Sequence, residues 1–329
     1  MRVRDDVAMN MPDPGATASA HAPLSLAVLV PCFNEAVAIG AVVAQFRAAL
    51  PRARIYVYDN NSTDDTVAIA TRAGAVVRCV TRQGKGNVVR RMFADIEADV
   101  YVLVDGDATY DAAMVQAMVD RLLDDQLDMV VGARQSEGIA SYRRGHRLGN
   151  RLLSGCVAWL FGREFSDLLS GYRVFSRRYV KSFPALSEGF EIETELTVHA
   201  LELRMPIAEV ATPYAARPDG SVSKLSTYRD GWRILGTILH LFKAERPVAF
   251  FSLLAAILAS AAVVLSVPLF QTYLATGLVP RIPTAVLVTG MMLMAMGFLL
   301  CGLVLDTVTR GRREMKLLAY LAIPPPREA

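Results

Sequence analysis

Asp105-Gly106-Asp107 is the stretch of this chain on which chemistry can be built. It follows Val100-Tyr101-Val102-Leu103-Val104, an apolar run rich in β-branched residues, which predicts a buried strand. Carboxylates at the carboxyl end of a strand lie where open α/β sheets bind ligands. Spaced at i and i+2, the two can share one hard cation, and that cation can hold a diphosphate. Gly106 between them lets the backbone turn closely beneath such a ligand. The competing reading is an ordinary acidic turn after a strand.

Other polar residues sit at equivalent places. Pro31-Cys32-Phe33-Asn34-Glu35 follows an apolar run at 26–30, and Asp59-Asn60-Asn61 follows one at 55–58. Asp59 stands where an acid meets base or ribose in other nucleotide folds, and backbone at Pro31 and Phe33 with the Glu35 carboxylate can meet a nucleoside. Helix capping or dipole compensation is the bland alternative for Glu35 and Asp59. Gly84-Lys85-Gly86 opens a helical stretch. It lacks the spacing of a P-loop, and Val89 stands where a dinucleotide fingerprint needs its third glycine. A glycine loop at a helix start with one lysine still suits nucleotide contact.

The elements that must position these residues alternate. Strands are predicted at 26–30, 55–58, 75–80, 100–104 and 129–131. Helices are predicted at 36–50, between the Ser62 or Asp64 cap and Gly74, from the 81–87 loop through 96, and at 112–123. Such alternation argues for an α/β domain with a mostly parallel sheet covered on both faces.

The chain has 329 residues, 53% of them hydrophobic, and the excess is C-terminal. No charged residue occurs at 247–280 or at 282–305, and each stretch exceeds the ~20 residues that cross a bilayer core. Two basic amphipathic segments, 142–165 and 226–246, suit an anionic membrane surface. Lys243 and Arg246 precede the first apolar stretch, and Arg310, Arg312, Arg313 and Lys316 follow the second, whereas the connector carries only Arg281. The positive-inside rule then puts both ends in the cytoplasm. A net charge of +3 gives no case for nucleic-acid binding. Cys32, Cys79, Cys156 and Cys301 are scattered without metal-ligand spacing and read as packing thiols of a reducing compartment. The expected organisation is a disordered extension at 1–24, a catalytic domain at 25–225, a juxtamembrane amphipathic helix at 226–246, two spans at 247–306 and a basic cytoplasmic tail at 307–329.

Taken in order, Val30-Pro31-Cys32-Phe33-Asn34-Glu35, Asp59-Asn60-Asn61-Ser62-Thr63-Asp64, Gly84-Lys85-Gly86 and Asp105-Gly106-Asp107 resemble the motifs of family 2 glycosyltransferases of GT-A fold. The second half resembles the polyprenyl-phosphate branch, similar to dolichol-phosphate mannose synthase, in Gly132-Ala133-Arg134, Asp167-Leu168-Leu169-Ser170-Gly171-Tyr172-Arg173 and Gly220-Ser221-Val222-Ser223-Lys224-Leu225.

The resemblance implies a GT-A (Rossmann-like) domain, amphipathic interface helices and two C-terminal transmembrane helices, held in the plasma (inner) membrane with the catalytic domain cytoplasmic. It implies transfer of glucose, mannose or a related hexose from a nucleotide-diphosphate sugar to undecaprenyl or dolichyl phosphate, with inversion. It places the donor nucleotide at Pro31, Phe33, Glu35, Asp59, Asn60, Lys85 and Asp105. Mg²⁺ or Mn²⁺ falls to Asp107 directly and to Asp105 nearer ribose and sugar, with Arg134 and Asp167 in the catalytic set. The acceptor phosphate falls to Arg134, Ser170, Arg173, Arg217, Ser221 and Lys224. Relatives often carry a second acid where Asn60 stands and a glutamine where Thr109 stands. One of Glu191, Glu193 and Glu195 is expected to face the sugar. A phosphate monoester, with a second pKa of ~6, is already ionised at neutral pH and needs no general base. Two rival readings are transfer to a sugar hydroxyl of a lipid or glycan, and a non-catalytic membrane scaffold. Copies of the two spans can pack on one another, although no small-residue motif argues strongly for it.

Overall fold

The computed structural model describes residues 24–135, 155, 157–159, 167–189, 191–218, 236–237 and 239–326. Seven strands form one sheet: β1 (Leu26–Cys32), β2 (Arg54–Asp59), β3 (Val76–Cys79), β4 (Val100–Leu103), β5 (Met129–Gln135), β6 (Arg173–Ser176) and β7 (Ile207–Pro213). Their order is β3-β2-β1-β4-β6-β5-β7. Only β6 is reversed, antiparallel to both β4 and β5.

All four side chains of β4 are buried, because helices cover both faces. On one face α1 (Ile39–Ala49), α2 (Thr66–Arg72) and α4 (Val115–Asp124) contribute Val43, Phe46, Ala70, Met118 and Leu122 to a core with Val100 and Val102. On the other, α3 (Lys85–Asp95), α5 (Arg177–Ser182) and α6 (Ile192–Glu202) bring Met92, Phe93, Tyr179 and Leu196 against Tyr101 and Leu103. Each large apolar side chain so buried contributes about 1.5–3 kcal/mol. The strand beneath Asp105 and Asp107 is therefore a rigid platform.

Three local departures from the periodic expectation have identifiable causes. Helix α1 starts at Ile39 because Asn34 is left-handed (φ 53°) and the Glu35 carbonyl accepts from Ala38 and Ile39 N–H, consuming the first residues in a turn. The 112–123 helix opens as a 3-10 turn, Ala112–Met114, capped where Asp111 accepts from Ala113 N–H at 2.9 Å. Strand β5 runs on to Gln135 because β7 pairs with it residue by residue from Met129 to Gln135. Strands β6 and β7 are additions to the sequence expectation.

Two long helices follow the sheet domain. Helix α7 (Pro247–Thr276) and helix α8 (Ile282–Leu321) pack as a pair, with Gly302 against Phe251 and with Ala255, Ala262 and Ala295 buried. Leu253, Val264, Phe270, Leu293 and Leu303 lie exposed along them. Both helices are long and apolar enough to cross a membrane.

Helix α8 does not stop at Asp306. Its last turns dock on the sheet domain, with Lys316 2.7 Å from Glu202 and the Tyr320 hydroxyl donating to Asp128 at 2.8 Å. Arg178 pairs with the same aspartate and lies 4.8 Å from the Tyr320 ring centre. Just before α7, residues 236–237 and 239–245 are helical, and Leu241 packs with Val157, Leu168, Val198 and Leu201. Part of the 226–246 amphipathic face is thus turned into the domain. Residues 226–235 and 238 of that segment, and most of 142–165, lie outside the described residues. Cys32, Cys79 and Cys301 form no disulfide among the described residues.

Candidate active site

The loops after β1 and β2 are stitched together above aligned strand ends, Cys32 beside Asp59. Asn34 N–H donates to Ser62 Oγ at 2.8 Å, Thr63 N–H to Asn34 Oδ1 at 2.7 Å, and Glu35 N–H to Thr66 Oγ1 at 2.9 Å. Asp59 lies beneath them, 3% exposed. Its Oδ2 accepts from Ser62 N–H at 3.0 Å, while Oδ1 is buried with no partner among the described residues. A buried acceptor without a donor is costly, by about 1–3 kcal/mol, unless a ligand supplies one. A base or ribose donor fits that requirement.

Asn60 has a different task from the expected one. Its amide donates to the carbonyls of Val80 and Arg82, both at 2.9 Å, and its Oδ1 accepts from Gly84 N–H at 2.7 Å. Its side-chain amide is thereby engaged in fixing the glycine loop. That loop lies so close to the 187–188 backbone that a Cβ on Gly86 would collide with the Ser187 carbonyl.

Lys85, the first residue of α3, has a side chain only 9% exposed. Its ammonium pairs with both Asp105 and Glu193. Burial alone would lower the lysine pKa, but the two carboxylates outweigh it and hold Lys85 above its usual range. Glu193 is pushed up by burial, which the Lys85 charge opposes without cancelling, and its Oε2 has no partner among the described residues. Of the three candidate glutamates, Glu193 is therefore the one brought to the site. Glu195 holds a loop, accepting from Leu186 and Ser187 N–H at 2.8 and 2.7 Å.

Asp105 and Asp107 follow the end of β4 and make different contacts. Asp105 lies against Gly171, where any Cβ would collide with its carboxylate. Gly106 needs its missing side chain for Cys32, whose Sγ a Cβ would meet at 2.6 Å, and the left-handed residue of this turn is Ala108 (φ 56°). Asp107 is 4% exposed. Its Oδ1 accepts from Thr109 Oγ1 at 2.6 Å and N–H at 3.2 Å, and its Oδ2 lies 2.7 Å from Arg217. Glu35 faces the other guanidinium nitrogen at 4.0 Å.

Arg134 grips Asp167 in a bidentate pair, both contacts 2.7 Å, at the end of β5. Burial would raise the Asp167 pKa, but the Arg134 hydrogen bonds and charge outweigh it and hold the carboxyl below the usual carboxylate range. Asp167 thus orients Arg134. Two acceptor assignments are corrected. Arg173 is wholly buried, donating to the carbonyls of Ser170, Leu168 and Glu193 and to Thr197 Oγ1. Ser170 is also wholly buried and donates to the Gly132 carbonyl at 2.6 Å. Neither can reach a phosphate. Ser221 and Lys224 lie outside the described residues.

Among the described residues no three His, Cys, Asp or Glu side chains converge on a point that could hold a metal. A pair of carboxylates at a strand end fits a hard cation that takes its other oxygens from a diphosphate and water. Arg217 on Asp107 Oδ2 marks that oxygen as one that holds positive charge.

Comparisons with known proteins agree with this geometry. A sequence model of glycosyl transferase family 2 matches residues 27–182. Glycosyltransferase AglJ of Haloferax volcanii is 36% identical over 231 residues, 70% of this chain and 76% of the relative. A dolichyl-phosphate hexose transferase of the same organism is 30% identical over 222 residues, 67% of this chain and 95% of the relative. Among solved structures, glucosyl-3-phosphoglycerate synthase from Mycobacterium tuberculosis in complex with Mn²⁺, uridine diphosphate and glucosyl-3-phosphoglycerate aligns with a TM-score of 0.57 at 25% identity, covering 70% of this chain and 85% of that one.

Proposed function

The chain belongs to glycosyl transferase family 2, with a GT-A sheet, and on that premise we propose that it transfers a hexose from a nucleoside-diphosphate sugar to a polyprenyl phosphate at a membrane surface. The observation that carries this reading is the pairing of the acids around the diphosphate position. Asp105 and Glu193 share Lys85, Asp107 and Glu35 face Arg217, and Asp167 holds Arg134. Each carboxylate among them faces a cation, and an acceptor phosphate, already ionised, needs no general base. A phosphate oxygen attacks the anomeric carbon as the bond to the nucleoside diphosphate breaks, and the configuration inverts.

Asp59 and the β1 and β2 loops take the nucleoside, with Glu35 beside it. Lys85 holds the Asp105 carboxylate in place, and Glu193 Oε2 accepts from a sugar hydroxyl. A Mg²⁺ or Mn²⁺ ion on Asp107 and Asp105 would neutralise charge on the departing diphosphate. Arg134, fixed by Asp167, and Arg217 suit the planar, two-point grip that phosphate oxygens accept. Helices α7 and α8 cross the membrane in this reading, with both ends on the cytoplasmic side, and keep the site where a lipid-borne phosphate emerges.

The deciding experiment uses the full chain in detergent, a panel of radiolabelled nucleotide sugars and undecaprenyl phosphate, with Mg²⁺ or Mn²⁺ and with chelator. One donor should yield a lipid product that mild acid cleaves, and chelator should abolish it. An acid-stable product on a sugar hydroxyl would replace this acceptor by the rival one. Absence of any transfer would favour the scaffold.

Glu193 separates phosphate from hydroxyl acceptors at the level of one atom. In Glu193→Gln, the loss of one acceptor for a sugar hydroxyl should raise the donor KM about tenfold with kcat within a few-fold of wild type. A general base at this position would instead show as a ~10²–10⁴-fold fall in kcat with a lost pH limb.

A further inference from the structure

We propose that Arg217 is a built-in counter-ion for Asp107 that must change partners when the divalent cation arrives, so that one side chain couples cation binding to diphosphate or phosphate binding. The inference rests on the cation role of Asp107 given above and concerns how that site is regulated before substrate enters.

Its first support is how the chain delivers Arg217. Beyond β7, Tyr214 N–H donates to the Gln135 carbonyl at 3.2 Å and Ala215 N–H to the Thr109 carbonyl at 2.9 Å. Tyr214 and Tyr110 also form an antiparallel bridge, with ring centres 5.3 Å apart. The segment carrying Arg217 therefore hangs from the same turn that carries Asp107. The guanidinium arrives at the carboxylate by construction rather than by a chance surface encounter.

The second support is which oxygen it holds. Thr109 takes Asp107 Oδ1 through both its hydroxyl and its N–H. Oδ2 is the oxygen left for a cation, and Arg217 lies on it at 2.7 Å. An ionised carboxylate this deeply buried is costly without a positive partner. Arg217 supplies that partner before the cation does. Its side chain remains 29% exposed, so it can leave without breaking the core.

The third support is chemical fit after release. A divalent ion entering at Oδ2 must displace the guanidinium, and the displaced fork matches the phosphate oxygens that the ion brings with it. The cation alone is thus opposed by Arg217, and the cation with its anion is favoured by it. Coupling of this kind is reciprocal: each ligand improves the other by the same factor.

The test is Mn²⁺ binding to the full chain in detergent, by equilibrium dialysis with electron paramagnetic resonance. It is run with and without inorganic pyrophosphate, with soluble Mn²⁺–pyrophosphate corrected from a protein-free chamber. Arg217→Ala should bind Mn²⁺ alone about tenfold more tightly than wild type, because a charge-assisted competitor is gone. The same variant should lose most of the gain that pyrophosphate gives wild type. Arg217→Gln, which keeps most of the packing, should behave alike and serves if the alanine variant folds poorly. Arg82→Ala removes an exposed positive charge that pairs with Glu188 instead, and should stay within about twofold of wild type. Equal Mn²⁺ affinity in wild type and Arg217→Ala would overturn the proposal, as would equal tightening by Arg82→Ala. Undiminished pyrophosphate coupling in Arg217→Ala would overturn it too. Asp107→Ala distinguishes the two readings: loss of Mn²⁺ in that variant keeps the cation site standing even if Arg217 proves indifferent, whereas unchanged Mn²⁺ binding removes the cation site itself.

Discussion

Replacing Asp107 by alanine should abolish sugar transfer, with turnover down by about 10³-fold or more, in a protein that still folds. The size follows from what the carboxylate is asked to do. A cation on the leaving diphosphate supplies several kcal/mol of charge stabilisation, and each 1.36 kcal/mol is tenfold in rate. Folding should survive because the other contacts of Asp107 are local. Thr109 is two residues away, and Arg217 is exposed enough to return to water. Asp107→Asn keeps the shape and loses the charge, so it should fail almost as completely. The measurement is turnover of a radiolabelled donor beside thermal unfolding of the same preparation. Turnover near wild type, with or without added metal, would remove Asp107 from the reaction.

Arg173→Ala should produce the opposite pattern, a protein that fails to hold its fold rather than one that fails to bind. Three backbone carbonyls and the Thr197 hydroxyl accept from this guanidinium, with the carbonyls drawn from the 168–170 loop and the first turn of α6. Deleting it leaves those acceptors buried and a cavity beside β6, for a loss on the order of 3–5 kcal/mol. For a domain of this size that is roughly 10 °C in thermal midpoint. Arg173→Lys should rescue only part of it, since three donors on one nitrogen cannot span four acceptors in three directions. An unchanged midpoint with a raised acceptor KM would return Arg173 to the phosphate.

The two residues also show what the sequence could and could not say. Asp107 was legible because an unbroken apolar run ends just before it, and the end of a buried parallel strand is a fixed place in an α/β sheet. Asp59 was legible for the same reason. Arg173 was misread because β6 has only four residues, too few to declare a strand. The signal was nevertheless present: in a strand, Arg173 shares a face with Phe175, two residues on, and Phe175 belongs to the core. Ser170 followed it into the same error. Asn60 was placed at the nucleotide by the resemblance, and only the folded chain shows the Val80 and Arg82 carbonyls that use its amide. The choice of Glu193 over its neighbours depended on α6 starting at Ile192, a boundary that the sequence pattern does not fix.

Helix α8 carries one more consequence. Its 40 residues span about 60 Å, and its far tip grips Asp128, at the amino end of β5 and so at the opposite end of the sheet from Asp105 and Asp107. Leu241, on the helix before α7, packs on Val198 and Leu201 beside the Glu202 that Lys316 holds. These contacts tie the sheet domain to the last turns of α8. Such contacts oppose swinging of the whole domain about the foot of α8. In the proposed reading the acceptor comes to this held domain, and the length of α8 sets its height above the bilayer.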